Sequence, residues 1–263
     1  MTSLPSQPSP DLVLDLGNSR LHAAFFAGGK LLERFDRPLG PPARELIDAL
    51  PGHPCRAAAL VSVVPALEAP LAEAIQARYG LPLRKLGADL PTGVENRTRT
   101  PASVGPDRLM LARWASATLP GRRVLVCGIG TAITTNIVDH DGAFLGGAIA
   151  PGLPTAARGL AVRAARLPEV TVRERPSALG RSTEEALAAG VFYSCVGGLE
   201  RLIEASREEH GVEQVIATGG DLELIGGAVR GIDRREPDLV LRGLALALDA
   251  ALAASRGVPE TES

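Results

Sequence analysis

The stretch VLVCGIGTAITTN, residues 124–136, decides the fold because an earlier part of the chain repeats its pattern. The earlier stretch is LVLDLGNSRLHAA, residues 12–24. Each is an apolar run, typical of a buried strand, that breaks at a turn of small residues and resumes as a second strand. An offset of 113 positions aligns residues 12–24 with residues 125–137 and places Asp15 on Gly128.

The repeat continues beyond these turns. The same offset places Gly29 on Gly142 and Leu32 on Leu145, so a hairpin with the same spacing follows in both copies. A strand–turn–strand–hairpin–strand unit that recurs at this length is typical of a duplicated α/β domain. The other main predictions are a loop rich in proline, glycine and arginine at 87–106 and helices at 152–166, 183–206 and 238–254.

Composition excludes several classes of protein. The chain has 263 residues, 45% hydrophobic and 22% charged, which suits a soluble protein with a large core. A net charge of −2 provides no basic field for nucleic acid or an anionic membrane. The three cysteines (Cys55, Cys127 and Cys195) have neither metal-ligand spacing nor a disulfide framework, which favours a reducing cytoplasm. We predict no signal peptide, and no apolar stretch approaches the roughly 18 residues of a membrane span.

The two turns have the chemistry of phosphate-binding loops. In DLGNSR, residues 15–20, Gly17 permits close approach, the Asn and Ser side chains can donate hydrogen bonds, and Asp15 could hold a Mg²⁺ that accompanies phosphates. In GIGTA, residues 128–132, the same backbone is combined with the Thr131 hydroxyl. Ordinary strand turns contain the same residue types, so it is the pair of loops that indicates a nucleotide site.

Two further features have alternative interpretations. TGGD, residues 218–221, follows a predicted strand and either lies against a nucleoside or only turns the chain. Asp107 stands beside Arg108 where a predicted helix begins, so it either caps the helix or accepts a proton from a substrate hydroxyl while Arg108 holds an anion. Sequence spacing leaves both pairs of alternatives open.

Five motifs follow one another along the chain, and TGGD and DLVLRGL (238–244) continue the series. The five are DLGNSR (15–20), GPDR (105–108), GIGTA (128–132), FLGGAIAPGL (144–153) and GRSTEEALAAG (180–190). In this order and spacing they resemble type III pantothenate kinases from residue 12 to about residue 250. The resemblance implies a duplicated actin-like (ribonuclease H-like) α/β fold of the acetate kinase–sugar kinase–Hsp70–actin superfamily, with a nucleotide cleft between two lobes.

We assign the lobes to residues 11–118 and 119–256, with disordered ends at 1–10 and 257–263. The resemblance implies phosphorylation of pantothenate by ATP and Mg²⁺, the first committed step towards coenzyme A, in a cytoplasmic homodimer. Asp107 would be the general base on the primary hydroxyl of the substrate. The implied ATP and phosphate ligands are Asp15 (which would also hold Mg²⁺), Gly17, Asn18, Ser19, Arg20, Gly130, Thr131, Ala132, Gly219 and Gly220. The implied pantothenate ligands are Gly105, Asp107, Arg108 and Thr183.

The second loop departs from the pattern of the family. Gly128 stands where the family usually has an aspartate that helps to bind an activating monovalent cation, K⁺ or NH₄⁺, and Asn136 stands where a second carboxylate often follows. Since carbonyl oxygens attract a cation less strongly than a carboxylate does, we predict weak or absent activation by K⁺. The alternative functions are a divergent, catalytically weak paralogue that acts as a binding or regulatory protein, and a kinase for another small hydroxylated substrate.

Overall fold

The computed structural model describes residues 9–256. The predicted disordered ends, 1–10 and 257–263, lie outside this range except for Ser9 and Pro10. The described residues form two β-sheets with flanking helices. In chain order the elements are β1 (Asp11–Leu16), β2 (Arg20–Ala27), β3 (Lys30–Pro38), α1 (Ala43–Asp48), β4 (Ala57–Ser62), α2 (Pro65–Tyr79), β5 (Leu83–Lys85), α3 (Pro106–Thr118), β6 (Val124–Ile129), β7 (Ala132–Val138), β8 (Phe144–Gly146), β9 (Ile149–Pro151), α4 (Leu153–Arg163), α5 (Thr183–His210), β10 (Gln214–Thr218), α6 (Leu222–Ile225), β11 (Arg234–Arg235) and α7 (Leu239–Arg256).

The first sheet has the strand order β3-β2-β1-β4-β5. Strand β1 lies near its centre, antiparallel to β2 and parallel to β4. Both faces of β1 are covered, which explains why its sequence is almost continuously apolar instead of alternating. The predicted hairpin is confirmed: Gly28 and Gly29 join β2 to β3 with φ of 55° and 75°, in the region that glycine adopts without strain.

The second sheet repeats this arrangement in the order β11-β10-β6-β7-β8, with β9 also paired to β7. Strand β6 is antiparallel to β7 and parallel to β10, just as β1 is antiparallel to β2 and parallel to β4. Strand β6 begins and ends 113 positions after β1. The duplication predicted from the sequence is therefore confirmed in the pairing of the strands.

The two copies differ by one residue in the turn. Leu16 pairs with Leu21 across the first turn, whereas Ile129 pairs with Ile133 across the second. The uniform offset of 113 therefore holds for β6 and fails by one position in β7. The second turn is tighter as a result, and its Ala132 already belongs to β7.

The chain divides into two compact units that are not contiguous in sequence. The first contains the chain up to Gly93, Ala102–Trp114 and the residues from Val240, and the second contains Val94–Pro101 and Ala115–Leu239. The predicted lobes, 11–118 and 119–256, are contiguous in sequence. They differ from these units most at α7, which lies almost entirely in the first unit.

Two contacts explain why α7 packs in the first unit. A Cβ on Gly243 would overlap the backbone oxygen of Met110, so α7 crosses α3 at a position that only glycine fits. The Arg56 guanidinium bonds both carboxylate oxygens of the buried Asp11 and also Asp249 of α7. Close backbone packing and a shared ion pair thus join α7 to β1 and α3.

Each unit has its own core, and α5 runs through that of the second. Phe192 and Leu199 of α5 are fully buried against Val215 and Ala217 of β10. By length and mean hydropathy, 1.3, α5 alone among the described helices would suffice to cross a membrane, so the expectation that no stretch approaches this limit was wrong. Alanine and the larger apolar residues raise its hydropathy, and 39% of the apolar window is buried inside the protein.

The helices predicted at 152–166, 183–206 and 238–254 are confirmed as α4, α5 and α7. The elements that were not predicted are β5, β9, α6 and β11. Each has four residues or fewer, too short for an apolar period to show in the sequence.

Candidate active site

The first turn, between β1 and β2, is closed by backbone hydrogen bonds. The Gly17 N–H donates to the Arg20 carbonyl at 3.0 Å, and the Leu39 N–H donates to the Ser19 carbonyl at 2.9 Å. A Cβ on Gly17 would lie 3.5 Å from the Arg20 oxygen, an ordinary contact. The fold itself therefore tolerates a side chain here, and glycine keeps open the space beyond β1 that an anionic group could enter.

The side chains of the first turn differ in how they are held. Asn18 and Ser19 are exposed at its tip. The Arg20 guanidinium, predicted as a phosphate ligand, forms an ion pair with Asp36 on the neighbouring β3. The Asp36 carboxylate therefore neutralises part of the Arg20 charge.

Asp15 and Asp107 come close enough to influence each other. Asp15 lies next to the end of β1, in register with His22 of β2 and Val61 of β4. Burial raises the pKa of Asp15 to about 7, and the negative charge of Asp107 contributes to that rise. Two carboxylates that repel each other in a partly buried site favour a shared cation or a retained proton.

Asp107 lies in the first turn of α3, folded back over Gly105. A Cβ on Gly105 would lie 2.5 Å from Asp107 Oδ1, so glycine makes room for this carboxylate. Burial raises the pKa of Asp107, against the hydrogen bonds from nearby backbone N–H groups and the charge of Arg108. The carboxylate is therefore bonded at the start of the helix, as a cap would be, and is also a stronger base than an ordinary aspartate, so the two interpretations are compatible.

The second turn, between β6 and β7, is supported by the motif that follows it. The Gly130 N–H donates to the Ala132 carbonyl at 3.1 Å, and the Thr131 carbonyl accepts from the Gly152 N–H at 3.1 Å and from Thr155 Oγ1 at 2.5 Å. A Cβ on Gly152 would overlap the Gly130 oxygen, whereas a Cβ on Gly130 would meet nothing within 4 Å. Gly152 is required by packing, and Gly130 faces open space.

The TGGD segment lies directly against this second turn. A Cβ on Gly219, whose φ is 117°, would overlap the Ile129 oxygen, and the Asp221 N–H donates to the same oxygen at 3.1 Å. A Cβ on Gly220 would meet nothing within 4 Å. The first glycine of the pair is therefore structural, and the second leaves space that a ligand could use.

Asp221 is a candidate that the sequence analysis missed. Asp221 is partly buried, and burial raises the pKa of its carboxyl. No cationic side chain among residues 9–256 forms an ion pair with it. It lies three positions after Thr218, the strand partner of Gly128. Asp221 is the last residue of the TGGD motif, but nothing in the sequence indicated that its backbone N–H bonds the end of β6.

Residues 128 and 136, the two positions where the resemblance implies carboxylates, carry neutral groups here. Asn136 is fully buried, and its amide nitrogen donates to the Val126 carbonyl at 3.0 Å and to Thr134 Oγ1 at 3.2 Å. An ionised aspartate cannot donate, so it would face the Val126 oxygen without a hydrogen bond. Gly128 is held between Thr134 and Thr218 in the sheet and contributes only backbone.

Both units contain predicted site residues. In the first unit the structure brings Asp15 together with Asp107, and in the second it brings the Gly219–Gly220 pair against the 130–132 turn. Thr183 is the exposed first residue of α5 and follows the N-cap Ser182. Within residues 9–256 no group of three or more His, Cys, Asp or Glu side chains could hold a metal ion, so a metal would have to rely on a smaller set of carboxylates.

The sequence is similar throughout to one family of kinases. A family model described as type III pantothenate kinase matches residues 11–205. A type III pantothenate kinase of Dehalococcoides mccartyi is 31% identical over 247 residues, which cover 89% of this chain and 95% of the relative. One of Legionella pneumophila is 33% identical over 250 residues, with 90% and 97% covered.

Solved structures with low sequence identity share the fold. A structure described as a conserved putative Baf family transcriptional activator from Campylobacter jejuni has a TM-score of 0.59 and 19% identity over 94% of this chain and 100% of that one. The ROK hexokinase of Thermus thermophilus has a TM-score of 0.51 and 16% identity, with 94% and 100% covered. The predicted duplicated actin-like α/β fold is confirmed by these likenesses.

Proposed function

Because the chain belongs to the type III pantothenate kinase family, we propose that it transfers the γ-phosphoryl group of ATP to the primary hydroxyl of pantothenate. The product is 4′-phosphopantothenate, and the reaction is the first step of coenzyme A biosynthesis. The observation that carries the proposal is the pair of Asp107 and Asp15, two carboxylates with raised pKa values that the fold holds close together.

Asp107 has the properties of a general base for this transfer. Its raised pKa strengthens its affinity for the proton that the substrate hydroxyl must lose, and Arg108 beside it can hold an anionic or polar part of the substrate. A primary hydroxyl does not ionise near neutral pH on its own. A carboxylate within hydrogen-bond reach removes its proton as the bond to phosphorus forms.

The two turns are suited to the phosphates of ATP. Gly17, Gly130 and Gly220 face space that a side chain could occupy without overlapping the fold. Exposed Asn18, Ser19 and Thr131 lie next to these glycines and can donate to phosphate oxygens. Phosphoryl transfer requires mainly positioning and neutralisation of charge, which such loops provide.

Mg²⁺ fits the Asp15 carboxylate. A divalent cation there would relieve both the burial of Asp15 and its repulsion from Asp107, the two effects that raise its pKa. A site with so few protein ligands suits an ion that keeps most of its water and is bound mainly through substrate phosphates. When bound, Mg²⁺ would neutralise charge on the phosphates, while Asp107 accepts the proton.

We also propose that the protein is a cytoplasmic homodimer. All three cysteines are free thiols, as a reducing compartment favours. Three glycines of α5 (Gly190, Gly197 and Gly198) face open space, since a Cβ on any of them would meet nothing within 4 Å. Packing within the chain therefore does not require glycine at these positions. A second subunit that packs closely against α5 would require it. Light scattering during size-exclusion chromatography tests the mass, and a monomer at micromolar concentration would refute the dimer.

The proposed function is tested by ADP release in the presence of ATP, Mg²⁺ and pantothenate. We expect pantothenate-dependent ADP from the wild type and a loss of about 10²–10⁴-fold in kcat for Asp107→Asn, because an amide cannot accept the proton. Glu73→Gln, an exposed carboxylate on α2, is the control that should keep full activity. Mass spectrometry of the product identifies the phosphorylated substrate.

The alternative functions predict other outcomes. A folded protein that binds ATP but releases no ADP with pantothenate would refute the kinase proposal and favour a binding or regulatory role. Turnover with a different small alcohol but not with pantothenate would favour another substrate.

A further inference from the structure

Helix α4 and the segment after it contain a group of arginines without ion-pair partners. Residues 158–181 contain six arginines and two glutamates, a formal charge of +4 in a chain whose net charge is −2. Within residues 9–256 none of the six forms an ion pair, although many other arginines of the protein do. The six are Arg158, Arg163, Arg166, Arg173, Arg175 and Arg181, and all are exposed.

Half of these arginines line one cavity of the second unit. The cavity has a volume of about 720 Å³ and is formed by residues 171–181 together with the first turns of α5. Arg173, Arg175 and Arg181 lie on its wall. Its volume falls in the range of pockets that hold small organic ligands.

The wall of this cavity is anchored to α5 at several points. The Tyr193 hydroxyl donates to the Pro176 carbonyl at 3.2 Å, and the Arg181 N–H donates to Glu185 Oε2 at 2.6 Å. A Cβ on Gly180 would overlap the backbone nitrogen of Ala186, so this part of the segment lies directly on the helix. These contacts hold the backbone of the segment against α5 at Pro176, Gly180 and Arg181.

The rest of the lining is mostly apolar or already bonded. Val172, Pro176 and Leu179 contribute hydrocarbon, and Leu179 is 67% exposed, a large fraction for a leucine. Of the two glutamates on the wall, Glu185 already accepts a backbone hydrogen bond. The cavity thus combines cationic side chains that have no partner with an apolar surface that has no cover.

We propose that this cavity is a binding site for a small organic anion with an apolar body. The guanidinium groups would bond its carboxylate or phosphate, since arginine forms paired hydrogen bonds with both groups. The apolar body would cover Val172 and Leu179. Pantothenate, with a carboxylate and a dimethyl-substituted carbon, and its phosphorylated product both belong to this class. None of Gly105, Asp107 and Arg108 lines the cavity, so it is a second anion site, and the choice of ligand rests on the proposed function.

The proposal is tested by titration calorimetry on the full chain with three probes. These are pantothenate, its alcohol analogue in which –CH₂OH replaces the carboxylate, and 4′-phosphopantothenate. For Arg175→Gln we expect the Kd of the recognised anion to rise about tenfold, the value of one lost charge-assisted hydrogen bond. If the carboxylate is bound here, pantothenate weakens while its alcohol analogue does not; if the phosphate is bound here, only the product weakens.

A matched control separates the cavity from the general charge of the segment. Arg163→Gln removes an equally exposed arginine of α4 that does not line the cavity, and its Kd values should stay within about twofold of the wild type. Equal effects of the two variants, equal loss of the anion and the alcohol, no change for any probe, or no binding of the anions to the wild type would each overturn the proposal. Charge-dependent binding in a protein that releases no ADP would instead refute the proposed function alone.

Discussion

Asp15→Asn should make the protein more stable and less active. In the folded chain, burial and the nearby Asp107 charge oppose ionisation of the Asp15 carboxylate and raise its pKa from 3.8 to about 7. The unfolded chain has no such opposition. Folding above neutral pH therefore has to place a negative charge where the fold resists it, and asparagine removes that charge while keeping the shape of the side chain.

The magnitude follows from the difference between the two pKa values. Each pH unit of difference corresponds to about 1.4 kcal/mol, so the full penalty near pH 8 is about 4 kcal/mol. Asp15 is partly exposed, and solvent reduces this figure, so we expect a gain of about 2–4 kcal/mol in the free energy of unfolding. Between the two pKa values the folded state binds more protons, so stability falls as pH rises. The gain of the variant should be largest above about pH 7 and vanish near pH 3.

Denaturant unfolding of both proteins, without nucleotide or Mg²⁺, at a series of pH values measures this gain. Glu73→Gln on the exposed face of α2 is the control, because it removes a carboxylate from the same unit without burial. An Asp15→Asn variant that is no more stable than the wild type near pH 8 would refute the reasoning. A gain that does not change with pH would refute it as well, because the cause would then not be ionisation.

Three further predictions follow from the site and the packing. The value of kcat/KM should fall as pH decreases through about 7, because Asp15 and Asp107 must be ionised to hold Mg²⁺ and accept a proton; a profile flat down to about pH 5 would contradict this. Turnover should change less than about twofold when KCl replaces NaCl, because Gly128 has no carboxylate to attract K⁺, and a steep rise would contradict this. Gly243→Ala should lower the free energy of unfolding by about 1–3 kcal/mol, because the new Cβ would overlap α3. Gly159→Ala lies in open space on α4 and should leave the free energy of unfolding unchanged or raise it by up to about 1 kcal/mol. Thermal unfolding of both variants measures the difference.

Much of the fold could be predicted from the sequence because its signals are local. The apolar runs of β1 and β6 and the glycines after them recur at one offset, and strand pairing in the structure repeats accordingly. The short elements β5, β9, α6 and β11 could not be found, since two to four residues are too few to show a repeating apolar pattern. The non-contiguous units could not be found either, because the contact of Gly243 with Met110 joins residues far apart in sequence.

The residues of the candidate site could also be predicted from the sequence, but which of them lie close together in space could not. DLGNSR and GPDR place Asp15 and Asp107 in the chain, and only the tertiary structure brings them close enough for one charge to raise the pKa of the other. A sequence motif does not show which of its glycines is required by packing. In the structure a side chain at Gly219 would overlap the backbone, whereas Gly220 leaves space for a ligand. Asp221 beside Ile129 and the arginines around one cavity became visible only in the folded chain. Periodicity and turn chemistry act between neighbours and can be read in one dimension, whereas burial, repulsion between charges and backbone overlap depend on distances that exist only after folding.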